Sequence, residues 1–368
     1  MISRRQFIDS GVAAAWGPLA LSGCSPANGT PGYEELARQT WRHTAEPLSG
    51  NAAVQRELVR YATLAPSSHN TQCWKFRLED GAISILPDLS RRTPAVDPDD
   101  HHLYTSLGCA AENLIQAALA NGLKGEVRFG PTPTAGFKVA LEPTQAINSL
   151  LFQAIPDRQC TRSAFDGKPI TVAELALLEQ AGIGRGVRLL LLTGDAAMEK
   201  TLEYVVASNT VQMNDPAFIE ELQAWIRFSR SEAVQLRDGL FSATSGSPSL
   251  PRWLGGRMFG LLFTPKREND KYAAQLRSSA GVAVFVSEKD DITHWVEAGR
   301  CYERFALQAT ALGIRNAMLN QPVEVSALRP QFAAFLGVAG SRPDLVVRFG
   351  RAPKMPQSLR RPVQAVLA

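Results

Sequence analysis

A polar loop between a predicted helix and a predicted strand carries residues whose types and spacing suit ligand binding. Residues 60–76 read RYATLAPSSHNTQCWKF. Apolar residues at helical spacing precede Pro66, which ends the helix, and an extended run begins at Trp74. The loop between them brings together hydroxyl groups, an amide and backbone N–H groups. This combination suits a planar ligand with polar edges, and the alternative is an ordinary corner between a helix and a strand.

The order of residues in this loop resembles the flavin-contacting motif of the nitroreductase family, A-P-S-S-x-N-x-Q-x-W-x-F. The resemblance implies that the cofactor is FMN, with its isoalloxazine ring and ribityl chain against four residues of the loop. These residues are Pro66, Ser67, Ser68 and Asn70. Cys73 stands where the family usually has proline, so we expect the entry into the strand to differ slightly.

A second stretch, residues 155–165 (IPDRQCTRSAF), resembles the R-x-S-x-R-x-F start of a nitroreductase chain. In that family these residues hold the FMN phosphate and the pyrimidine edge of the flavin. The resemblance gives those roles to Arg158, Gln159, Cys160 and Arg162. Cys160 replaces the usual serine and is a weaker hydrogen-bonding partner.

Two C-terminal segments extend the resemblance. The family carries a Pro-x-Glu segment whose backbone amides face the flavin ring, which implies that Pro322, Glu324 and Val325 lie near N5. The family also has basic residues for the phosphate near its C-terminus, here Arg360 and Arg361. The sequence does not decide which of these two arginines reaches the phosphate.

An internal repeat sets the predicted architecture. The pattern G-x-A-x-E at residues 108–112 recurs as G-x-C-x-E at residues 299–303, and in both copies a glycine follows fourteen residues after the first one. VRFG at residues 127–130 also recurs, at residues 347–350. We therefore predict an α+β, nitroreductase-like fold: two fused repeats, residues 51–150 and 151–368, form a pseudo-dimer of mixed sheets flanked by helices.

The fused chain is expected to build one FMN site as a monomeric pseudo-dimer, because the loop motif occurs only in the first half and the arginine motifs only in the second. This arrangement resembles the single-chain, Acg-like branch of the family. The second half also carries an insertion at about residues 205–265. Within it, the Ser/Gly/Pro-rich residues 242–251 suit a lid over the site, and the alternative is an ordered surface insertion.

Composition limits the classes of function. The chain has 368 residues and is 45% apolar, enough for a sizeable core, and its net charge of +4 comes without a long Lys/Arg run, which argues against a nucleic-acid partner. Residues 97–102 (DPDDHH) are predicted to be a solvated helix start, with a metal site as the alternative, so no metal is assigned.

Two functions follow from these observations. The first is an FMN-dependent oxidoreductase that acts on a small redox substrate by alternate reduction and oxidation of the flavin. The second is a flavin-sequestering protein whose lid closes the site. Hydride transfer needs no side-chain acid or base, so no catalytic residue is assigned. A cell-surface binding module without flavin is a third, more distant alternative.

The N-terminus is predicted to be a targeting segment. Residues 1–23 include Arg4 and Arg5 in a pattern that resembles a twin-arginine export signal, a route that carries proteins already folded around a cofactor. Residues 21–24 (LSGC) resemble a lipobox with Cys24 as the lipidated residue, and residues 24–50 are a tether and N-terminal arm. We therefore expect a periplasmic or cell-envelope location with a lipid anchor in the membrane.

Overall fold

The computed structural model describes residues 32–45 and 48–368. The predicted export signal at Arg4 and Arg5 and the predicted lipid attachment at Cys24 lie outside the described residues. Within these described ranges, every helix is too short or too polar to cross a bilayer.

The first half of the chain folds into one four-stranded sheet with helices packed against it. Its helices are α1 (Tyr33–Thr40), α2 (Asn51–Thr63), α3 (His101–Ala120) and α4 (Leu150–Ala154). Its strands are β1 (Trp74–Glu79), β2 (Ala82–Pro87), β3 (Leu123–Phe129) and β4 (Phe137–Pro143). β1 and β2 form a hairpin across Asp80 and Gly81, and Gly81 takes a φ of 64° that the tight turn requires.

The second half contains a second sheet and a larger set of helices. Its helices are α5 (Val172–Gly182), α6 (Asp195–Met213), α7 (Pro216–Trp225), α8 (Arg230–Leu236), α9 (Arg252–Leu262), α10 (Pro265–Arg277), α11 (Ile292–Ala311), α12 (Gln321–Glu324), α13 (Arg329–Phe335) and α14 (Val363–Val366). Its strands are β5 (Val187–Leu192), β6 (Ile226–Arg227), β7 (Leu240–Phe241), β8 (Gly281–Ser287), β9 (Arg315–Met318) and β10 (Arg342–Gly350).

The two four-stranded sheets have the same strand order. The first is β1-β2-β4-β3 and the second is β5-β8-β10-β9, while β6 and β7 form a separate pair. All strand pairs in the two larger sheets are antiparallel. Parallel pairing next to these sheets is confined to single bridges, Phe76 with Leu367 and Cys160 with Asn316. The sequence predicted sheets that mix parallel and antiparallel pairing. Among the described residues, the parallel pairing at the two larger sheets is limited to those bridges.

One part of the predicted repeat is wrong. Residues 127–130 fall at the end of β3, an edge strand, whereas residues 347–350 fall in β10, which occupies the place of β4 in the second sheet. The two VRFG segments are therefore not structural equivalents. Short alternating apolar sequences recur in unrelated strands because they fit any half-buried strand.

The repeated glycines lie where α3 and α11 cross. A Cβ atom on Gly108 would lie 2.0 Å from the carbonyl oxygen of Val296, and one on Gly299 would lie 1.9 Å from that of Thr105. Thr105 stands three residues before Gly108, and Val296 stands three residues before Gly299. The contact is thus reciprocal, which is consistent with the helix part of the predicted repeat.

The core lies around this helix pair and on both sides of the second sheet. Every residue of β8 and of β10 is buried. One apolar cluster joins α2, α3 and α11 to the first sheet and to one face of the second. Another fills the space between β8, β10 and the helices α6, α10 and α13. These layers hold the two halves rigidly beside the cleft described next.

Candidate functional site

Two adjoining cavities lie between the loop after α2 and the start of the second half. The larger measures about 240 Å³ and the smaller about 60 Å³. Both are lined by Pro66 and Ser67 from the first half and by Cys160, Arg162 and Leu240 from the second. The shared lining makes them one continuous cleft, with walls from both halves.

The loop after α2 is held in an unusual backbone conformation. His69, Asn70 and Gln72 have φ values of 48°, 53° and 53°, a left-handed region that non-glycine residues rarely adopt. The Ser67 hydroxyl accepts a 2.9 Å hydrogen bond from the Gln72 backbone, and the Asn70 side chain donates to Gly239 at 2.9 Å. The surrounding structure thus fixes a strained loop, a feature common at ligand sites.

Arg158 is a buried cation at the smaller cavity. Its side chain is only 2% exposed, its Nη2 donates to the Leu64 carbonyl at 2.8 Å, and its Nε lies 3.1 Å from Glu303 Oε1. Its Nη1 has no hydrogen-bonding partner among the described residues. Burial raises the pKa of Glu303 to about 7, although the charge of Arg158 opposes that shift.

Arg360, rather than Arg361, lines the smaller cavity. The Arg360 guanidinium donates to the carbonyls at the end of α2, including Thr63 at 2.7 Å, and to the Asn70 side chain at 2.9 Å. Burial, together with the charge of Arg158, lowers the pKa of Arg360 to about 9. Arg361 instead donates to the Ala365 carbonyl, away from both cavities.

The larger cavity has a polar wall made by three elements. Gln212 of α6 donates to Glu324 Oε2 at 2.7 Å, and Glu324 Oε1 lies 3.6 Å from His102 Nε2 of α3. Burial raises the pKa of Glu324 and lowers that of His102. Burial thus shifts both groups toward their neutral forms.

The predicted helix start at residues 97–102 is confirmed, since α3 begins at His101, but the predicted solvation is wrong for three of its side chains. Asp97, His101 and His102 are 3%, 2% and 6% exposed, because the second half covers the N-terminus of α3. Asp97 accepts 3.0 Å hydrogen bonds from the backbone of His102 and Leu103, and His101 Nε2 lies 2.9 Å from Asp344 Oδ1. Buried polar groups must find partners within the protein, and these do.

The same three side chains bring possible metal-ligand atoms within 4.8 Å of one another. Asp97 already accepts from two backbone N–H groups and His101 already pairs with a carboxylate, so these hydrogen bonds account for the burial without a metal. The absence of a metal stays a prediction.

The cover of the larger cavity comes from the insertion, but not from residues 242–251. Phe218 and Leu222 of α7, Leu240 of β7 and Phe263 after α9 line the larger cavity. From residues 242–251, only Thr244 lines either cavity, and it faces the smaller one. Apolar helix faces, rather than the Ser/Gly/Pro segment, therefore cover the site, because they gain most from burial against the cavity wall.

The structure gathers ten of the thirteen predicted site residues on the cleft. They are Pro66, Ser67, Ser68, Asn70, Arg158, Gln159, Cys160, Arg162, Glu324 and Arg360. Pro322, Val325 and Arg361 line neither cavity, although the adjacent Asn320 and Gln321 do. The Glu324 side chain faces the larger cavity, where the sequence led us to expect mainly backbone contacts.

Several lining residues were missed by the sequence reasoning. They are His102, Thr105, Ser106, Asn209, Gln212, Phe218, Leu222, Leu240, Phe263, Tyr272, Tyr302, Met318, Asn320 and Gln321. His102 carried a signal, since a histidine beside acidic residues at a helix start is a chemical candidate. The residues of the insertion carried none, because amphipathic helices look alike whether they cover a core or a cavity.

Comparison with known proteins gives distant but extensive matches. No family model matches the chain. The chain is 26% identical over 330 residues to "Putative NAD(P)H nitroreductase Rv3131" of Mycobacterium tuberculosis (strain ATCC 25618 / H37Rv), covering 86% of this chain and 92% of that protein. It is 24% identical over 324 residues to "Putative NAD(P)H nitroreductase acg" of the same strain, covering 85% and 95%.

Among solved structures, the FMN-dependent nitroreductase NfnB from Mycobacterium smegmatis in complex with NADPH aligns with 16% identity and a TM-score of 0.36, over 55% of this chain and 87% of that one. The sequence matches are the stronger finding, since they span both halves of the chain. The chain is a distant homologue, over most of its length, of proteins of the nitroreductase family.

Proposed function

We propose that the chain binds one FMN in the cleft and works as an oxidoreductase on a small organic molecule. The observation that carries the proposal is a continuous cleft with arginines at one end and a partly apolar chamber at the other. The names of the distant relatives, which describe NAD(P)H nitroreductases, support the same class of reaction.

The smaller cavity fits a phosphate group. Its lining among the described residues contains three arginines, Arg158, Arg162 and Arg360, and no carboxylate. Arg158 Nη1 is buried without a partner, and the proximity of Arg158 adds to the low pKa of Arg360. An anion would relieve this repulsion, and arginine is the side chain best suited to phosphate.

The larger cavity fits a planar ring with polar edges. Its apolar cover, which includes Phe218 and Phe263, suits the flat face of such a ring. Two buried lining atoms, His69 Nδ1 and Gln321 Oε1, have no hydrogen-bonding partner among the described residues. Burial, followed by the charge of Arg162, lowers the pKa of His69 to about 4, so its ring is neutral at neutral pH.

Bound FMN would supply the redox chemistry, and the chain would supply binding and exclusion of water. The strained loop and the three arginines would orient the cofactor from opposite halves. The apolar cover would limit the entry of water. Glu324, whose pKa burial raises, and its neighbour His102 would place a carboxyl group and an imidazole on the cavity wall.

The division of the cleft between the two halves supports one site in each chain. The loop with Ser67 belongs to the first half, and Arg158 and Arg162 belong to the second. The reciprocal crossing of α3 and α11 is the contact expected at the axis of a pseudo-dimer. A monomer with a single FMN follows from this division.

Quantitative flavin binding tests the proposal. Purified full-length protein titrated with FMN should bind one equivalent, and Arg162→Ala should weaken binding by about ten- to a hundredfold through loss of a charged hydrogen bond. Arg361→Ala is the matched control, because this arginine lies outside both cavities. Two equivalents of FMN, no binding, or equal losses in the two variants would refute it.

The apolar cover favours a second function, sequestration of FMN without turnover. Phe218, Leu222 and Phe263 restrict access to the larger cavity. If the holoprotein oxidises NADPH in the presence of a nitroaromatic compound or a quinone, the oxidoreductase is correct. If FMN binds with one-to-one stoichiometry and no nicotinamide reduces it, sequestration is correct.

The location of the protein is a separate proposal that rests on the N-terminal sequence. The twin arginines Arg4 and Arg5 and the residue Cys24 are proposed to export the folded protein and attach it to a membrane. Changing both arginines to lysine should keep the protein in the cytoplasm, and Cys24→Ala should release it from the membrane fraction. Unchanged fractionation of both variants would contradict the proposal.

A further inference from the structure

Helix α9 presents a large apolar surface to solvent. Trp253, Leu261 and Leu262 are 66%, 77% and 43% exposed, and Gly255 is the residue of this helix that is buried. Exposed apolar residues that occur singly are ordinary, but Trp253 and Leu261 lie on the same side of one short helix and form a patch, whereas Leu262 lies on the side of the buried Gly255. Such a patch is typical of a surface that contacts another phase or another molecule.

The exposed face of α9 also carries positive charge. Trp253, Arg257 and Leu261 are spaced four residues apart, so they lie on one side of the helix, and all three are exposed. Arg252, at the start of the helix, pairs with Glu232 at 2.9 Å, and Lys266, shortly after its end, pairs with Asp270 at 2.7 Å. Arg257 has no carboxylate partner among the described residues, so it supplies the positive charge of this face. The face thus combines an indole and a leucine with a guanidinium group between them.

The opposite side of α9 is fixed to the body of the protein. A Cβ atom on Gly255 would lie 2.5 Å from the Phe228 ring, which shows how closely the helix packs there. The rings of Phe259 and Phe263 stack with centroids 4.3 Å apart, and Phe263 continues into the lining of the larger cavity. The apolar face is therefore held outward by packing on the inner side.

We propose that the outward face of α9 docks on an anionic lipid bilayer. An indole with a neighbouring leucine partitions into the interface between headgroups and acyl chains, and the Arg257 guanidinium between them is attracted to anionic lipids. A second copy of the chain is a poorer occupant, because the arginines of two equivalent faces would approach each other. The docking does not depend on whether the cleft binds FMN.

Vesicle binding by the full-length protein carrying Cys24→Ala tests the proposal without any contribution from a lipid anchor. The protein should sediment with phosphatidylcholine vesicles that contain about a third phosphatidylglycerol, and less with pure phosphatidylcholine, because attraction to anionic lipid is electrostatic. In the same background, Arg257→Gln should weaken binding by about fivefold, and added salt should reduce it. Trp253→Ser should reduce binding to both kinds of vesicle.

Val172→Ser is the matched control, because Val172 is 84% exposed on α5, away from α9. Binding in this variant should equal that of the parent protein. Equal losses of vesicle binding in Val172→Ser and Trp253→Ser would overturn the proposal. Equal binding to vesicles with and without phosphatidylglycerol would also overturn it. A further contrary outcome is that the protein fails to bind vesicles and forms a dimer that the Trp253→Ser variant does not form. That result would show that α9 is a self-association surface and would also overturn the proposal.

Discussion

The two halves of the molecule share a scaffold and differ in what they attach to it. Both sheets have the same strand order, and both repeated helices cross through a glycine. The first two strands are joined by a two-residue turn in the first sheet, whereas β5 and β8 are separated by five helices, α6 to α10. The scaffold is therefore duplicated, and the parts that line the cleft are not.

Glu112 and Glu303, the last residues of the repeated pattern, show how the copies have diverged. Glu112 of α3 contacts Arg300 and Arg304 of the other helix at 3.2 and 2.9 Å, where the arginines are partly exposed. Glu303 of α11 is fully buried and faces Arg158 at the cleft. Equivalent carboxylates thus stabilise the helix pair in one copy and contribute to the site in the other.

The crossing glycines should give the largest effects. Gly108→Ala and Gly299→Ala each place a Cβ atom within about 2 Å of a backbone oxygen, so each should lower the free energy of unfolding by about 3 kcal/mol or more. Gly260→Ala is the control, because nothing lies within 4 Å of its new Cβ atom, and it should stabilise helix α9 by up to about 1 kcal/mol. Denaturant unfolding measures all three. A harmless change at either crossing glycine would contradict the reciprocal contact.

Removing the two equivalent carboxylates should have unequal effects. Glu303→Gln deprives the buried Arg158 of its charged partner and should destabilise the protein by about 2 kcal/mol. Glu112→Gln should cost less than about 1 kcal/mol, because Arg300 and Arg304 are partly exposed and also contact Glu297. Urea unfolding at about pH 8.5, above the raised pKa of Glu303, measures both losses. Equal losses would mean that the two copies have not diverged in this way.

The contact between His101 and Asp344 should make stability depend on pH. Burial raises the pKa of Asp344 to about 7 from 3.8, so the folded state holds its proton more tightly, and this group's contribution falls as pH rises between about 4 and 7. Burial lowers the pKa of His101, so its contribution falls as pH drops below 6.5. The two groups therefore change the free energy of unfolding in opposite directions as the pH rises.

Asp344→Asn should therefore remove the share of the stability loss between about pH 4 and 7 that Asp344 causes, at about 1.4 kcal/mol for each pH unit in which the group titrates. In the same measurement, His101→Gln should lose less free energy of unfolding than the parent protein as the pH falls below 6.5. Unfolding curves at several pH values provide the test. If Asp344→Asn follows the parent protein between pH 4 and 7, then Asp344 is not the group that titrates.

The sequence predicted features that local signals determine and missed those that tertiary packing determines. Helix Val172–Gly182 and strand Val187–Leu192 are examples of local signals, because a capping Thr171 marks the helix start and a continuous apolar run marks the strand. The burial of Asp97 was missed because it depends on the second half covering α3. The VRFG match failed because four residues specify a strand but not its place in a sheet.

The same distinction explains the lid. A Ser/Gly/Pro composition predicted a lid at residues 242–251, yet composition does not tell which segment faces a cavity. Most of the apolar cover comes from α7, β7 and the residue after α9, at positions whose periodicity would equally suit an ordinary core. The cleft residues that the sequence predicted belong to recognisable motifs, whereas the residues that cover the larger cavity belong to none.

The smallest expected effect concerns this cover, which only the second half possesses. Leu222→Ala shortens a side chain over the larger cavity, so reduction of bound FMN by a bulky donor should be about threefold faster. This rate change corresponds to a barrier lower by less than about 1.4 kcal/mol. Leu236→Ala is the control, because Leu236 is 46% exposed on α8 and lines neither cavity. Stopped-flow absorbance at matched FMN occupancy measures both rates.

Since the arginines at the smaller cavity are unchanged, FMN affinity should stay constant in both variants, which separates access from binding. Equal rates in the two variants would show that α7 covers the cavity without limiting entry, and the case for sequestration would lose its structural basis.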